Sequence, residues 1–332
     1  MNAPKISVII PLYNAEKFIR ECLISVLASK FKDYEVIVVD DCSTDNSLAE
    51  VKKLLPHFDG RLKIFSTEKN SGGPGVPRNV GIKNSSGKYV TFIDNDDVIL
   101  PDALENFFAV AEFYNAEVVC AEKIFIVKGT DKISNENLEV LSPVKVEELV
   151  DAPTLESADI TERIRRDMAG KIFILPWGKL CRRDFLLENK IFFPQMKSTE
   201  DIIFCFKCLC LAKNYVRIPH MTNIHRMIRG SAGLGLFNTP VEGVRPWLDS
   251  LTKNISALDD FTRELGLEPN LRHEVLSHYI RLHFGTIKNL FRGAPPHAVQ
   301  KIFLDELQNP ALNRAGKNFV VAYLFAEKFF GK

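Results

Sequence analysis

An α/β fold, with a mostly parallel sheet flanked by helices and a helical C-terminal region, is predicted by three features of the sequence. Short apolar, β-branched runs recur through the first 120 residues, helical patterns separate them, and the connections are brief. Strands buried on both faces read as continuous apolar runs, and repeated β-α units give a parallel sheet with helices on both sides.

The elements follow in order. Ile6-Ser7-Val8-Ile9-Ile10 is nearly all apolar and reads as the first strand, while Phe18, Ile19, Cys22, Leu23, Val26 and Leu27 form one helical stripe. Val36-Ile37-Val38-Val39 is the second strand. Ser43, Thr44 or Asp45 is placed to cap a helix that turns Leu48, Val51, Leu54 and Leu55 inward. Leu62-Lys63-Ile64-Phe65 reads as a third strand, Pro77 suits the first turn of the next helix, and Gly87 is expected to end it. Lys88 to Ile93 and Glu117 to Cys120 make the fourth and fifth strands, separated by a helix that starts at Pro101 and Asp102. Residues 129–157 are polar and weakly periodic. A block from 158 to 232 reads as helix, the stretch Trp177-Gly178-Lys179-Leu180, helix, an apolar helix opened by Glu200-Asp201, and two short extended stretches; helices dominate from Val241 onward. The expected division is therefore 1–128, 129–232 and 233–332.

Composition narrows the function. With 46% apolar and 26% charged residues the chain is too hydrophobic for a disordered protein, and 43 basic against 42 acidic residues leave a net charge of +1. No global field draws it to nucleic acid, so anion binding must be local. No apolar run approaches the roughly 18 residues of a spanning helix. The start, Met1-Asn2-Ala3-Pro4-Lys5, lacks the layout of a secretory signal, and seven scattered cysteines point to reduced thiols; a cytoplasmic protein is expected. The tail from Lys317 interleaves lysines with Phe319, Val320, Tyr323 and Phe325; docking on its own domain or on a second subunit is the favoured reading, peripheral contact with the inner membrane face the alternative.

In open α/β sheets ligands sit beyond the carboxyl ends of the strands, which singles out Pro11 to Asn14, Asp40 to Asp45 and Asp94 to Asp97. Asp94-Asn95-Asp96-Asp97 places three carboxylates in four residues, whose mutual repulsion a divalent cation relieves; Mg²⁺ or Mn²⁺ takes such oxygen ligands together with substrate phosphates. A solvated turn or helix cap is the competing explanation. Asp41 suits a base or ribose, Tyr13 offers a stacking face, and Arg78 near a helix start suits a diphosphate. Cys205-x-x-Cys208-x-Cys210, with His220 and His225 downstream, is read as buried small hydrophobes, because helical geometry spreads the thiols around the axis.

Four stretches in order, Val8 to Asn14, Val38 to Asp45, Gly72-Gly73 through Gly81, and Phe92 to Asp97, resemble the nucleotide-sugar half of a family 2 glycosyltransferase with the Rossmann-like GT-A fold. The resemblance continues through Trp177 to Leu180, Glu200-Asp201 and Arg226 to Ser231. It implies Asp94 and Asp96 as the ends of an Asp-x-Asp element, with Asp96 the direct ligand of Mn²⁺ or Mg²⁺. It also implies nucleotide-sugar contacts from Pro11, Tyr13, Asn14, Asp41, Arg78, Asp94 and Asn95, and Asp201 as general base. Glu200, Trp177, His225 and Arg229 are auxiliary candidates, with helix capping the simpler role for Glu200.

The implied reaction is metal-dependent, inverting transfer from a nucleotide diphosphate sugar, commonly UDP-linked, to a saccharide or lipid-linked saccharide, by a monomer or a homo-oligomer. Gly178 departs from the Asn frequent after the Trp, and Pro74 and Pro77 stiffen a loop usually richer in Ser and Ala. A sugar-phosphate nucleotidyltransferase and a non-catalytic, receiver-like binding module remain the alternatives.

Overall fold

The computed structural model describes residues 3–128, 132–134, 136–141, 149–172, 176–227, 241–290 and 296–330. Two units emerge, one of Met1–Gln195 with Phe204–Ile228 and one of Met196–Ile203 with Arg229–Lys332.

The first unit is built on β1 (Ile6–Leu12) and β2 (Tyr34–Asp40), in which every residue is buried. They pair in parallel from Ile6 opposite Tyr34 to Leu12 opposite Asp40, so their carboxyl ends finish side by side. β3 (Leu62–Ser66) lies beyond β2, and β4 (Tyr89–Phe92) pairs with the other side of β1. β6 (Val118–Ala121), β10 (Lys179–Arg182), β11 (Tyr215–Ile218) and β9 (Thr154–Leu155) complete the order β3-β2-β1-β4-β10-β6-β11-β9.

Burial on both faces explains the largely apolar strands. Val8, Ile10 and Leu12 face a core shared with α1 (Ile19–Leu27), α2 (Ser47–Leu54) and α4 (Ala103–Phe113). Ile9, Ile37 and Val39 face a second core with α3 (Gly75–Asn84), α6 (Arg183–Glu188) and α7 (Glu200–Leu211). The first turn of α7 is counted with the second unit and the remainder with the first. α5 (Ile160–Met168) begins at Asp159, whose carboxylate accepts from Thr161 N at 2.8 Å.

Three expectations need correction. Gly87 does not end α3, which stops at Asn84 with Ser85 extended; a Cβ at Gly87 would lie 2.7 Å from Ser7 N, so the residue is small because the chain crosses the backbone of β1. The helix after β2 starts later than Ser43, although Asp45 does accept from Ser47 N at 2.9 Å. The stretch after Trp177 contains a central strand: β10 runs antiparallel to both β4 and β6, with Leu180 opposite Thr91 and Val119.

A smaller sheet of order β5-β12-β7-β8 joins β5 (Val98–Ile99), β12 (Asn223–Met227), β7 (Ile124–Lys128) and β8 (Glu139–Leu141). It matters because β5 directly follows the acidic turn at 94–97.

The second unit contains α8 (Val241–Glu264), α9 (Pro269–Leu290), α10 (Pro296–Glu306) and α11 (Arg314–Phe330). Leu251, Ile255 and Leu258 of α8, Phe303 of α10, and Phe319, Val320 and Tyr323 of α11 are buried. The rings of Phe303 and Tyr323 stack at 4.3 Å. Three apolar residues of the tail are thus withdrawn into the protein, as the docking reading expects. Among the described residues no helix is long and apolar enough to cross a membrane.

Candidate active site

The strand order reverses at β1, since β2 and β3 lie on one side and β4 on the other. The crevice at the carboxyl ends of β1 and β4 is the place where such sheets bind ligands. All three marked turns reach this edge. Asp41 N donates to Leu12 O at 2.8 Å, and Asn95 Nδ2 donates to Pro11 O at 2.9 Å, which stitches the β2 and β4 loops to the tip of β1.

Asn14 takes a left-handed φ of 46°, and its carboxamide oxygen accepts from Thr44 N at 2.8 Å. Beside it, Tyr13 is 47% exposed at an edge otherwise closely bonded. Asp41 is buried, and its carboxylate accepts from Thr67 Oγ1 at 2.7 Å and from Ser71 N and Oγ at 3.0 and 2.9 Å. It therefore fastens the 67–71 loop to the β2 tip.

Arg78, near the start of α3, is buried and donates from Nη2 to Asp94 Oδ1 at 2.6 Å, with its guanidinium 5.2 Å from the ring of Phe193. The Asp94 to Asp97 segment closes as a turn, Asp97 N donating to Asp94 O at 3.0 Å. Asp97 is fully buried and held by β12: His225 Nδ1 lies 3.0 and 2.9 Å from its two oxygens, and Arg226 N donates to it at 3.0 Å. Trp177 stacks on His225 with centroids 4.9 Å apart and rings 12° from parallel. His225 is thereby tied to Asp97 and Trp177.

Burial, then the charges of Asp97 and Asp94, push the Asp96 carboxyl up to about 7, with His225 opposing. For His225 burial acts downward, but the Asp97 carboxylate outweighs it and raises the imidazole to about 9. A carboxylate so disfavoured as an anion gains from a nearby cation. Among the described residues no group of three or more His, Cys, Asp or Glu side chains is arranged to hold a metal alone. Oxygen donors from Asp94 and Asp96 nonetheless fit a hard divalent ion, which is usually held by one or two carboxylates and completed by substrate phosphates.

The structure thus gathers Pro11, Tyr13, Asn14, Asp41, Arg78, Asp94, Asn95 and Asp96 at one sheet edge, with Trp177 and His225 behind the acidic turn. Glu200, which is buried, and Asp201, which is half-buried, open α7 in the part counted with the second unit. Arg229 lies outside the described residues. Sequence reasoning missed Arg226, the clamp on Asp97, and Thr67 and Ser71, the partners of Asp41. A charged pair inside the five-residue strand Asn223-Ile224-His225-Arg226-Met227 was the available signal.

Comparison with known proteins identifies the family and the fold. A poly(ribitol-phosphate) beta-N-acetylglucosaminyltransferase, TarS of Staphylococcus aureus strain MW2, is 35% identical over 206 residues, covering 61% of this chain and 32% of that protein. The chain thus spans about a third of the length of TarS, 32% in either of two S. aureus strains. The crystal structure of S. aureus TarS 1-349 in complex with UDP-GlcNAc superposes with a TM-score of 0.68 at 24% identity, covering 99% of this chain and 92% of that one. The mannosyltransferase PcManGT from Pyrobaculum calidifontis, in complex with GDP-Man and Mn²⁺, gives 0.52 at 16%, covering 100% and 89%. Both share the GT-A fold of this chain. The model of Glycosyl transferase family 2 matches residues 7–187, more than half of the sequence and every strand tip just described, and the protein belongs to that family.

Proposed function

We propose that this protein is an inverting glycosyltransferase that moves a sugar from a UDP-linked donor to a hydroxyl of a saccharide or lipid-linked saccharide. The observation that carries the reading is the turn of Asp94 to Asp97 at the switch point, with Arg78 on Asp94 and Asp96 left as a half-buried carboxylate of raised pKa. Such tuning is expected where a site waits for a cation and a diphosphate. The TarS complex with UDP-GlcNAc supports a uridine donor, and the name of that relative extends the acceptor class to polyol-phosphate polymers.

Residues 1–128 would bind the donor and 129–232 would serve the acceptor side. Asp96, with Asp94, would hold Mn²⁺ or Mg²⁺ together with the donor's phosphates; the ion supplies Lewis-acid stabilisation of the leaving diphosphate. Tyr13 offers its exposed ring to the base, and Arg78 keeps Asp94 oriented. Asp201 is the proposed base: its carboxylate takes the acceptor's hydroxyl proton as the oxygen attacks the anomeric carbon from the face opposite the leaving group. Seven free thiols suit a reducing compartment, in keeping with a cytoplasmic enzyme.

Thermal-shift screening of nucleotide sugars with and without Mn²⁺ tests the reading, because a ligand that binds only the folded state raises its melting temperature. A UDP-sugar is expected to stabilise the protein in a Mn²⁺-dependent way, and Asp96→Ala to remove that dependence. Equal Mn²⁺-dependent stabilisation of Asp96→Ala would overturn the metal role.

A further inference from the structure

Arg226 is the largest fully buried side chain among the described residues, and three of its hydrogen bonds run to the acidic turn and to α1. Its Nη1 donates to the carbonyl oxygen of Asp96, its Nη2 to Glu21 Oε2 at 2.5 Å, and its backbone N–H to Asp97 Oδ1. The guanidinium lies 5.4 Å from the ring of Phe18, just before α1.

The peptide between Asp96 and Asp97 is planar, so its orientation is set once both polar ends are bonded. Asp97 N is bonded to Asp94 O, and Asp96 O is bonded to Arg226. With that peptide held, fewer torsions at Asp96 remain to be fixed when a cation arrives, which lowers the ordering cost of binding. Burying a guanidinium is costly, and apolar side chains that replace both members of a buried ion pair are often neutral or stabilising. The charge is therefore poorly explained by packing alone.

We infer that Arg226 is a positioning residue that presents Asp96 to the donor's divalent cation, acting through the Asp96 carbonyl and braced by Glu21 of α1. The inference rests on the proposed donor site and deepens it.

The test is the Mn²⁺ concentration giving half of the UDP-induced rise in melting temperature, measured in the full chain. Arg226→Met is expected to melt below the wild type without ligand, because one partner of the pair is lost, and to need about tenfold more Mn²⁺, with Arg226→Lys between the wild type and Arg226→Met in both. A packing role alone gives the lower melting temperature with an unchanged Mn²⁺ requirement, and would overturn the inference. Glu21→Gln removes a counter-charge whose side chain is 53% exposed and so spares the fold; a two- to threefold higher requirement is expected. Should the Arg226 variants fail to fold, an unchanged requirement in Glu21→Gln overturns the inference. A wild type that shows no Mn²⁺-dependent stabilisation by UDP refutes the donor-site reading instead.

Discussion

The guanidinium of Arg78 meets the Asp94 carboxylate at 2.6 Å, with the arginine side chain 4% exposed and the aspartate 26%. A residue expected from sequence to sit near the phosphates thus holds, in the free protein, the first carboxylate of the acidic turn. The arrangement leaves the two acidic residues with different tasks. Asp94 is oriented by a permanent cation, and in the proposed site Asp96 would take a removable one.

Replacing Arg78 with Met should therefore weaken UDP binding in Mn²⁺ rather than unfold the chain. A charge-assisted hydrogen bond contributes roughly 1.5–3 kcal/mol, and partial exposure of Asp94 favours the lower end, so Kd should rise about tenfold by calorimetry. Arg78→Lys should recover part of the loss, since it restores charge without the fork that spans Asp94 and Phe193.

Asp201→Asn should separate chemistry from binding. The side chain opens α7 and is absent from the strand tips that hold the donor turns, so affinity for the UDP-sugar should stay within about twofold. A lost general base lowers kcat by roughly 10²–10⁴. Single-turnover transfer beside calorimetric donor binding checks both halves, and undiminished transfer would exclude Asp201 as base.

How much of this was legible in the sequence depended on the range of the interactions. β1 and β2 announced themselves, because strands covered on both faces have no polar side to hide. The acidic turn was legible because three carboxylates in four residues are costly without a purpose. β10 was not, because Lys179 and Arg182 disguise it; Lys179 is buried with its Nζ 3.2 Å from Cys120 Sγ on the neighbouring strand. The clamp of His225 and Arg226 on the acidic turn was equally hidden. Its partners are about 130 residues apart, and no local pattern encodes a contact made by pairing β12 beside β5.

One apparent departure from the family pattern has a backbone explanation. Gly178, which stands where Asn is frequent, has a φ of +78°, a region that Gly and Asn tolerate better than other residues. A Cβ there would meet Thr222 Oγ1 at 3.6 Å and Asn223 Oδ1 at 3.9 Å, ordinary contacts with polar partners. Gly178→Asn should thus cost little, whereas Gly178→Val should lower stability by about 1–3 kcal/mol in denaturant melts through strain at this angle. Equal melts for the two variants would show that crowding, not the backbone, selects glycine.

The second unit carries a pH dependence of its own. His283 of α9 is 2% exposed, its Nε2 has no hydrogen-bond partner among the described residues, and its ring stands edge-on to Phe319 with centroids 6.4 Å apart. Burial lowers its pKa from the ordinary 6.5 to about 4. The unfolded chain therefore binds a proton in the range where the folded one refuses it. The stabilising effect of a neutral His283 is complete above about pH 7, and it fades as pH falls from about 6.5 toward 4. At 1.36 kcal/mol per pKa unit, roughly 2 kcal/mol should disappear between pH 7.5 and pH 5. Other groups titrate over the same interval, so the readout is the difference between the wild type and His283→Phe. The variant keeps a flat ring against Phe319 and cannot be protonated, and its stability in urea should fall less steeply over that range by about the same 2 kcal/mol. Parallel pH profiles for the two proteins would mean that His283 is protonated or solvated in the folded state.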